Sequence, residues 1–580
     1  MNPLKNAKTT IRLLVSIPIL LALTLIGPRE ADEWRREAAQ ALEQALSPAM
    51  VGDGQSTCGR DFDLCRTMRR FYRLRAYEPA WVERYGLLPE GAIALTALHR
   101  AGTQGLRVRD YDAPWLGKVL DGVVSRPVLL GADFDGQQVK LDLALTELVL
   151  RYAYHRSMGR TATDLIHWDG PTRKPLGRDL ATALAEALES GRLASFLATL
   201  GPQHQAFRAL QKGLPQYQRI SAAGGWPTIA EGPPLQRGDC GPRIAQLRQR
   251  LALGAVVPPG SPFEVDCFDR GLEAAVRHFQ QRHGLAVDGV VGNGTLAALN
   301  VPVEDRIRQI QLNLERWRWM PDDLGARYVL VNIPAFEMQM ADAGRVVKTL
   351  RTIVGKKDRP TPQFASTITY LELNPYWHVP PKIAREDLLP KIQADPGYLM
   401  RQNFHVFGTW AKDAPEIDPR TIDWASLSKD HFPFHLRQEP ADHNALGRVK
   451  FMFPNDQSVY IHDTPGKRLF ARPSRPFSSG CVRVEDPLDL ADFLLAGQNW
   501  DKDRLSQAVA APRRQVVSLE EPVPVYLVYR TAWAATNGEI HFAEDIYGYD
   551  PRLLTAMSDS APAHPSCSLA GHRATYWGRL

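Results

Sequence analysis

The chain has 580 residues, of which 44% are hydrophobic and 13 are tryptophan, so it has enough apolar material for three or four globular domains. Its formal net charge is only +6 at pH 7, which is too small an excess to predict a nucleic-acid partner. The sequence contains no zinc-ligand spacing, phosphate-binding glycine loop or nucleotide fingerprint, so we expect neither a metal nor a cofactor.

The first 27 residues have the layout of an export segment. Lys5, Lys8 and Arg12 precede the uncharged run Leu13 to Ile26, whose 14 residues are fewer than the roughly 20 that cross a bilayer. No small-residue cleavage site follows this run. The pattern therefore predicts a signal peptide or an uncleaved anchor in the inner membrane over residues 1–27, and it does not decide between them.

Residues 30–230 have the hydrophobic spacing of helices. Leu141, Leu145 and Leu148 recur at helical intervals. We predict a helical domain here, ended by a short linker over 231–234.

A small module is predicted over residues 235–302. Apolar residues recur at helical spacing in 244–251 and again in 272–279, and glycines between Gly284 and Gly292 mark tight turns. The pattern predicts short helices in one compact unit.

Strands dominate the sequence from 303 to 550. After a connecting helix over 307–320, the β-prone runs 328–340 and 346–354 flank Ala341 to Gly344, which predicts a hairpin. Residues from about 382 to 443 lack strand alternation, and we interpret them as an insertion.

The last part of the chain returns to strands and then loses its pattern. Strands are predicted over 449–453 and 459–461, and a helix is predicted over 488–495. The composition of residues 551–580, rich in Ser, Ala and Pro near its middle, predicts a loose C-terminal tail.

A histidine and a cysteine lie 19 residues apart in the run Ile461 to Val484. A cysteine nucleophile needs a base for its proton and amides for the oxyanion that it creates. His462 can be the base of Cys481. Ser479 and Gly480, just before the cysteine, can supply amides, because glycine lets the backbone approach a carbonyl group.

The sequence offers two alternatives to this role of His462. His378 and His443 are rival bases, but neither has a thiol nearby in the sequence. Asp463 could bind a metal together with His462, but no third ligand stands at a suitable spacing.

Six cysteines occur, and an exported chain can form disulfides. Cys58 and Cys65 enclose a short loop, and Cys240 and Cys267 lie in one small module. These four are the disulfide candidates, with four reduced core residues as the alternative. Pairing them leaves Cys481 and Cys567, and an unpaired thiol is what a nucleophile requires.

The segment from His462 to Arg483 resembles the catalytic motif of the L,D-transpeptidases with a YkuD-type domain, in which a histidine precedes Ser-x-Gly-Cys-x-Arg. The blocks Asn374 to Pro380 and Val449 to Asn455 resemble the larger, multidomain YcbB-type branch of this family. Many relatives carry a second histidine where this chain has Ser479, so the role of base falls wholly on His462.

The resemblance implies a multidomain α+β fold. It comprises a helical scaffold domain over 30–230, a three-helix peptidoglycan-binding-like module over 235–302 and a mostly-β L,D-transpeptidase catalytic domain over 303–550. The insertion at about 382–443 would cap the catalytic cleft.

The resemblance also implies a mechanism. The thiolate of Cys481 would form a thioester with a donor tetrapeptide stem, release D-Ala and pass the acyl group to a neighbouring stem, which makes a 3→3 crosslink. His462 would take and return the proton, and the backbone carbonyl of Asp463 would orient its ring. The amides of Gly480 and Cys481 would bind the oxyanion.

The resemblance also implies that four further residues lie near the bound substrate. Tyr460 and Trp377 would line the donor groove, or simply pack under the insertion. Ser479 and Arg483 would brace the loop and neutralise charge.

The implied setting is the periplasm and cell-wall synthesis, with stem peptides and other wall-synthesis enzymes as partners and carbapenems as acylating inhibitors. The peptidoglycan-binding-like module would bind the wall or act as a spacer. Attachment of a lipoprotein to peptidoglycan and L,D-carboxypeptidase activity stay open as sister reactions. A non-catalytic wall-binding scaffold is the alternative of another class.

Overall fold

The computed structural model describes residues 28–47, 62–84, 86–111, 134–161, 168–173, 179–254 and 266–559. The predicted export segment, Cys58 and Cys567 lie outside these residues. Within these residues the chain divides into two compact units, one formed by residues up to 160 together with 179–201, the other by 161–173 and 202–559.

The first unit is helical, as the leucine spacing predicts. Its elements are α1 (Pro28–Ala45), α2 (Leu64–Leu74), β1 (Val82–Glu83), β2 (Gly86–Leu87), α3 (Pro89–His99), the 3₁₀ turns Arg100–Gln104 and Val108–Asp110, α4 (Phe134–Met158), α5 (Leu180–Glu189) and α6 (Leu193–Thr199).

A buried carboxylate organises the centre of this helical unit. Asp142 on α4 is fully buried and accepts hydrogen bonds from the amides of Ala80, Trp81 and Val82 and from the hydroxyl of Tyr72. A buried carboxylate is stable only when its oxygens are satisfied in this way. Asp142 therefore fixes the loop after α2 against the long helix.

The second unit begins with β3 (Trp168–Asp169) and continues with helices. They are α7 (Gln205–Ala222), α8 (Pro242–Leu253), α9 (Arg270–Arg282), α10 (Asn293–Asn300) and α11 (Val303–Trp319).

Helices α8, α9 and α10 form the predicted small module. Their apolar stripes meet in one core, in which Leu247, Leu251, Leu272 and Leu299 are fully buried. A disulfide joins Cys240 to Cys267 across the start of α8 and α9. The core of so small a unit is marginal by itself, so the crosslink adds stability that burial alone does not supply.

The rest of this unit is built on a large sheet, and its remaining elements follow in chain order. They are β4 (Arg327–Asn332), β5 (Glu337–Asp342), β6 (Arg345–Gly355), β7 (Gln363–Leu373), β8 (Trp377–His378), α12 (Pro381–Ile383), a π turn (Ala384–Leu388), α13 (Leu389–Ala394), α14 (Tyr398–Arg401), β9 (Phe404–Phe407), β10 (Glu416–Ile417), the 3₁₀ turns Pro419–Thr421 and Trp424–Ser426, β11 (His435–Gln438), β12 (Val449–Met452), β13 (Ile461–His462), the 3₁₀ turn Lys467–Ala471, β14 (Pro476–Ser478), β15 (Val482–Val484), α15 (Pro487–Leu494), α16 (Lys502–Ala510), β16 (Gln515–Val528), β17 (Ala532–Ala534), β18 (Ile540–Phe542) and α17 (Tyr549–Asp559).

The strands pair in the order β12-β13-β15-β6-β5-β4-β16-β7, and β7 also pairs with β12, so the sheet closes on itself. Strand β3 joins β7 and strand β14 joins β6. Closure leaves few unpaired backbone groups along the ring. The alternating apolar residues of these strands fill one core, against which α15 and α16 pack.

These elements confirm the predicted multidomain α+β fold, with three local differences. The run 328–340 is two strands rather than one, because the chain turns between Ile333 and Phe336 and Phe336 has a φ of +57°. The predicted hairpin lies between β5 and β6, where Gly344 has a φ of +71° and lets the chain reverse.

The insertion between β7 and β12, hereafter the cap, is the second difference. It lacks strand rhythm in the sequence, yet it contains a four-stranded sheet in the order β10-β9-β11-β8. Its strands are two to four residues long, too short to show alternation. A separate apolar core, which includes Leu399, Val406 and Leu436, stabilises the cap.

The third difference is at the C-terminus, where the loose tail predicted from residue 551 is wrong for its first part. Helix α17 continues to Asp559, because Leu553 and Met557 pack on Leu312 and Trp319 of α11. In the part of the chain that the structure covers, no helix has the length and apolarity that crossing a membrane would require.

Candidate active site

Two adjacent strands place His462 and Cys481 on one face of the closed sheet. Strands β13 and β15 are parallel, with Ile461 opposite Val482 and His462 opposite Arg483. Ile461 and Val482 are fully buried in the core. Because side chains alternate along a strand, His462 and Cys481 both point away from that core. The structure therefore places the predicted base and nucleophile on the same side of these two strands.

His462 is buried and held in one orientation. It is 4% exposed, and its Nδ1 donates a hydrogen bond to the backbone carbonyl of Asp463. Burial, reinforced by the nearby Arg483 cation, lowers the pKa of His462 to about 3. The ring is therefore neutral at neutral pH, with its proton on Nδ1 and an unprotonated Nε2.

The side chain of Asp463 fixes the segment that orients this ring. Its carboxylate accepts a hydrogen bond from the amide of Arg448 at 2.8 Å and forms an ion pair with Lys467 at 2.6 Å. Gly447 lies against the same carboxylate with a φ of +63°, and a β-carbon there would approach it to 2.4 Å. Gly447 is thus required by both its backbone conformation and its contact.

Cys481 is the free cysteine of the described chain and is partly buried. Burial raises the pKa of its thiol, while hydrogen bonds from Tyr460 and the cations of Lys450 and Arg483 act in the opposite direction. Within the described residues the thiol has no direct hydrogen bond to His462, and its Sγ lies 4.0 Å from the carbonyl oxygen of Ser458. Catalytic hydrogen bonds often form only when substrate closes the site.

The loop before Cys481 has a conformation that favours glycine. Gly480 has a φ of +115°, and its carbonyl accepts a hydrogen bond from the hydroxyl of Thr361 at 2.8 Å. Its amide donates to the hydroxyl of Ser478 at 3.2 Å, so this amide is engaged within the loop. In the described structure the amide of Cys481 has no protein acceptor, which leaves it available to an incoming oxyanion.

Ser479 connects this loop to the cap. Its hydroxyl accepts a hydrogen bond from Nη1 of Arg359 at 2.9 Å, and the same guanidinium pairs with Asp387 and Glu386 of the cap. Ser479 therefore braces the loop through Arg359.

A cavity of about 280 Å³ lies between the cap and the strand that carries Arg483. Its wall on the cap side includes Trp377, Tyr398 and His443, and its other wall includes Thr464 and Arg483. Burial raises the pKa of Tyr460, and Cys481 and Trp377 both act on its hydroxyl, so this residue lies between the thiol and the cavity. Of the predicted groove residues, Trp377 lines the cavity and Tyr460 lies between the cavity and the thiol.

The rival histidines have other surroundings. His378 hydrogen-bonds through Nδ1 to Nε2 of His435 at 3.1 Å within the cap sheet, and the two rings are stacked. His443 is exposed and lines the cavity beneath the cap. In the described structure neither histidine has a backbone carbonyl that orients its ring as that of Asp463 orients His462.

Lys450 is a site residue that the sequence patterns missed. It lies opposite His462 in the antiparallel pair of β12 and β13, on the face that carries Cys481. Its Nζ is 4.2 Å from the centre of the Tyr460 ring, and burial lowers the pKa of its ammonium group. The signal in the sequence was one lysine in the apolar run Val449 to Phe453, but only the strand register shows what it faces.

The other described cysteines form disulfides. Cys240 and Cys267 are joined as described above, and Cys65 is also disulfide-bonded. Cys58 and Cys567 lie outside the described residues, so the predicted pairing of Cys58 stays a prediction.

Comparisons with known proteins match three parts of the chain. Residues 326–512 match the family model of the L,D-transpeptidase catalytic domain, 66–214 match that of a scaffold domain, and 241–299 match a model described as "Putative peptidoglycan binding domain".

Individual relatives match limited parts of this chain. A protein of Haemophilus influenzae named "Putative L,D-transpeptidase" is 37% identical over 249 residues, which are 43% of this chain and 49% of that protein. The N-acetylmuramoyl-L-alanine amidase CwlM of Mycobacterium tuberculosis is 38% identical over 80 residues, 13% of this chain and 20% of that protein. The chain thus spans about half the length of the first relative and a fifth of the second.

Among solved structures, an L,D-transpeptidase of Xylanimonas cellulosilytica is similar at 17% identity and a TM-score of 0.18. The match covers 52% of this chain and 99% of that chain.

Proposed function

The chain contains an L,D-transpeptidase catalytic domain together with a scaffold domain and a peptidoglycan-binding domain, and from this premise we propose that it is a peptidoglycan L,D-transpeptidase that uses Cys481 as its nucleophile. The observation that carries the proposal is the placement of Cys481 and His462 on one face of β13 and β15, with Nδ1 of His462 bound to the Asp463 carbonyl. This leaves Nε2 without a proton, so the ring can act as a base.

The reaction proceeds in two acyl transfers. His462 Nε2 takes the Cys481 proton as the sulfur attacks the carbonyl carbon of the third stem residue. The bond from that carbon to nitrogen breaks, His462 returns the proton to the departing amine, and D-Ala leaves a thioester behind. The side-chain amine of a second stem then attacks the thioester, forms the 3→3 amide bond and restores the thiol.

Two features of the site fit these reaction steps. The amide of Cys481 is the first candidate for the oxyanion, and the amide of Gly480 can join it by exchanging its 3.2 Å bond to Ser478. His462 binds a second proton weakly, because its pKa is about 3. Proton transfer is therefore expected in the same step as attack, when the developing charge makes the ring more basic.

The cap cavity is the proposed donor site. Arg483 lines this cavity, its Nε is buried without a hydrogen-bond partner, and the cavity has no acidic lining residue among those described. Donor stems carry carboxylates, so Arg483 would meet one of them, with Trp377 and Tyr460 forming the apolar side of the groove.

The proposed location is the periplasm, with stem peptides as substrates and other wall-synthesis enzymes as partners. The Cys240–Cys267 disulfide supports an oxidising compartment. Transfer to a lipoprotein lysine, or to water as in an L,D-carboxypeptidase, would use the same thioester. A wall-binding scaffold without activity is disfavoured by the orientation of His462.

The test is incubation of the purified protein with disaccharide–tetrapeptide fragments, followed by mass spectrometry. We expect 3→3 dimers that have lost D-Ala, and none from Cys481→Ala. Tripeptide monomers alone would indicate hydrolysis, and a conjugate formed only with an added lysine peptide would indicate lipoprotein attachment. Dimers from Cys481→Ala would refute the assignment of the nucleophile.

A further inference from the structure

Three buried arginines surround a small cavity distant in sequence from the His–Cys motif. Arg250 on α8, Arg282 on α9 and Arg306 on α11 are 3%, 8% and 7% exposed, and all three line it. Aromatic side chains complete the wall, among them Trp226 and Phe542. Three positive charges thus line a cavity whose other lining side chains, among them Gln216, Tyr217 and His283, include no acidic group.

The protein supplies these guanidiniums with neutral acceptors. Arg250 donates to the carbonyl of Leu299 at 2.8 Å, Arg282 donates to that of Ile540 at 2.9 Å, and Arg306 donates to that of Ala298 at 3.2 Å. Nε of Arg306 is buried without any hydrogen-bond partner. These bonds satisfy part of the donor capacity, but they do not neutralise the charge.

Acidic residues near the cluster are engaged elsewhere. Asp305 and Glu539 act on it through space, yet Asp305 pairs with Arg308 and Glu539 pairs with His278. In the part of the chain that the structure describes, none of the three buried arginines forms an ion pair. Buried charges normally have an oppositely charged partner, because their transfer from water is otherwise very unfavourable.

Aromatic stacking compensates only partly. The guanidinium of Arg250 lies 3.7 Å from the centre of the Trp226 ring, and that of Arg306 lies 4.7 Å from the Phe542 ring. A ring face attracts a cation but has no net charge. Burial lowers the pKa of Arg250 to about 9 and that of Arg306 to about 10, and the neighbouring arginines add to the effect.

The size of the cavity selects the ligand. Its volume is about 20 Å³, which holds one particle of the size of a water molecule. Carboxylates and phosphates have several heavy atoms and do not fit. We propose that this cavity binds one monatomic anion, chloride under ordinary conditions, between Arg250, Arg282 and Arg306.

The proposed anion has a structural consequence. Arg250 and Arg282 belong to the small module, whereas Arg306 belongs to the helix that leads into the large sheet. An anion shared by all three would hold the module to that helix. It would contribute to the stability of this unit and take no part in transpeptidation.

The first experiment uses bromide as a probe in crystals of the full chain. Data collected at the bromine absorption edge should show one anomalous peak within the cavity. A cavity that contains only water or a protein side chain, with no anomalous peak, would overturn the proposal.

The second experiment replaces sodium gluconate by sodium chloride at constant ionic strength and follows the thermal midpoint. For the wild type the midpoint should rise by about 2 °C for each tenfold increase in chloride concentration above the Kd. Arg306→Gln should lose this dependence. Arg270→Gln, a change at an exposed arginine on α9, should keep it. A wild-type midpoint independent of chloride would also refute the site, whether or not Arg306→Gln folds.

Discussion

Replacing His462 by glutamine should make the folded protein less sensitive to acid. Burial lowers the pKa of His462 from its usual 6.5 to about 3 in the folded state. Below pH 6.5 His462 is therefore protonated in the unfolded chain, whereas in the folded chain it is protonated only below about pH 3. The stability that comes from this difference is present at neutral pH and is lost as the pH falls through that interval.

The size of the effect follows from this shift. Each pH unit between those two values removes about 1.4 kcal/mol from the free energy of unfolding. Between pH 7.5 and pH 5.0 the wild type should therefore lose about 2 kcal/mol through His462 alone. Glutamine does not titrate, so the variant should not show this loss.

The assay is urea unfolding of both proteins at the two pH values. Burial also lowers the pKa values of His204 and His541 to about 4, but these residues titrate in both proteins and cancel in the comparison. His431→Gln, a change at an exposed histidine, should behave like the wild type. Equal losses in wild type and His462→Gln would show that His462 is not held neutral, and would undermine its proposed role as a ready base.

Four other outcomes are expected from the proposed site. Cys481→Ala should abolish crosslinking and leave the thermal midpoint nearly unchanged, since the side chain is small and partly exposed; a residual wild-type rate would exclude the thiol. Gly480→Ala should lower kcat at least tenfold, because a φ of +115° strains any other residue by about 1–3 kcal/mol, and unchanged kcat would contradict this role of the loop. Lys450→Met should shift the pH profile of Cys481 alkylation to higher pH, because it removes a cation that favours the thiolate. Lys450→Arg keeps the positive charge and should give a smaller shift. Identical profiles for the wild type and both variants would count against Lys450. A carbapenem should add one adduct mass to the wild type and none to Cys481→Ala, whereas an adduct on both would place acylation elsewhere.

The sequence predicts the central elements of the catalytic domain because its signals there are local. The apolar residues Ile461 and Val482 mark the two strands, and the motif fixes which side chains follow them. The helices of the scaffold and the small module are likewise encoded by repeated leucines such as Leu141 and Leu247 at helical spacing.

What the sequence could not predict depends on tertiary contacts. The cap strands are too short to alternate, and α17 is stabilised by the contact of Leu553 with α11 rather than by its own pattern. Lys450 gains its position only from the pairing of β12 with β13. Arg250 and Arg306 are far apart in the chain, and nothing local distinguishes them from surface arginines.

Arg359 couples the cap to the loop before Cys481. Its side chain is 8% exposed, and it reaches Ser479 on one side and the carboxylates of Glu386 and Asp387 on the other. Moving the cap away would leave a poorly hydrated cation beside the loop unless water entered with it. Contacts with both elements at once therefore favour the arrangement in which the cap and the loop stay together. Removal of the carboxylates on the cap would thus also change the surroundings of the Ser479 hydroxyl.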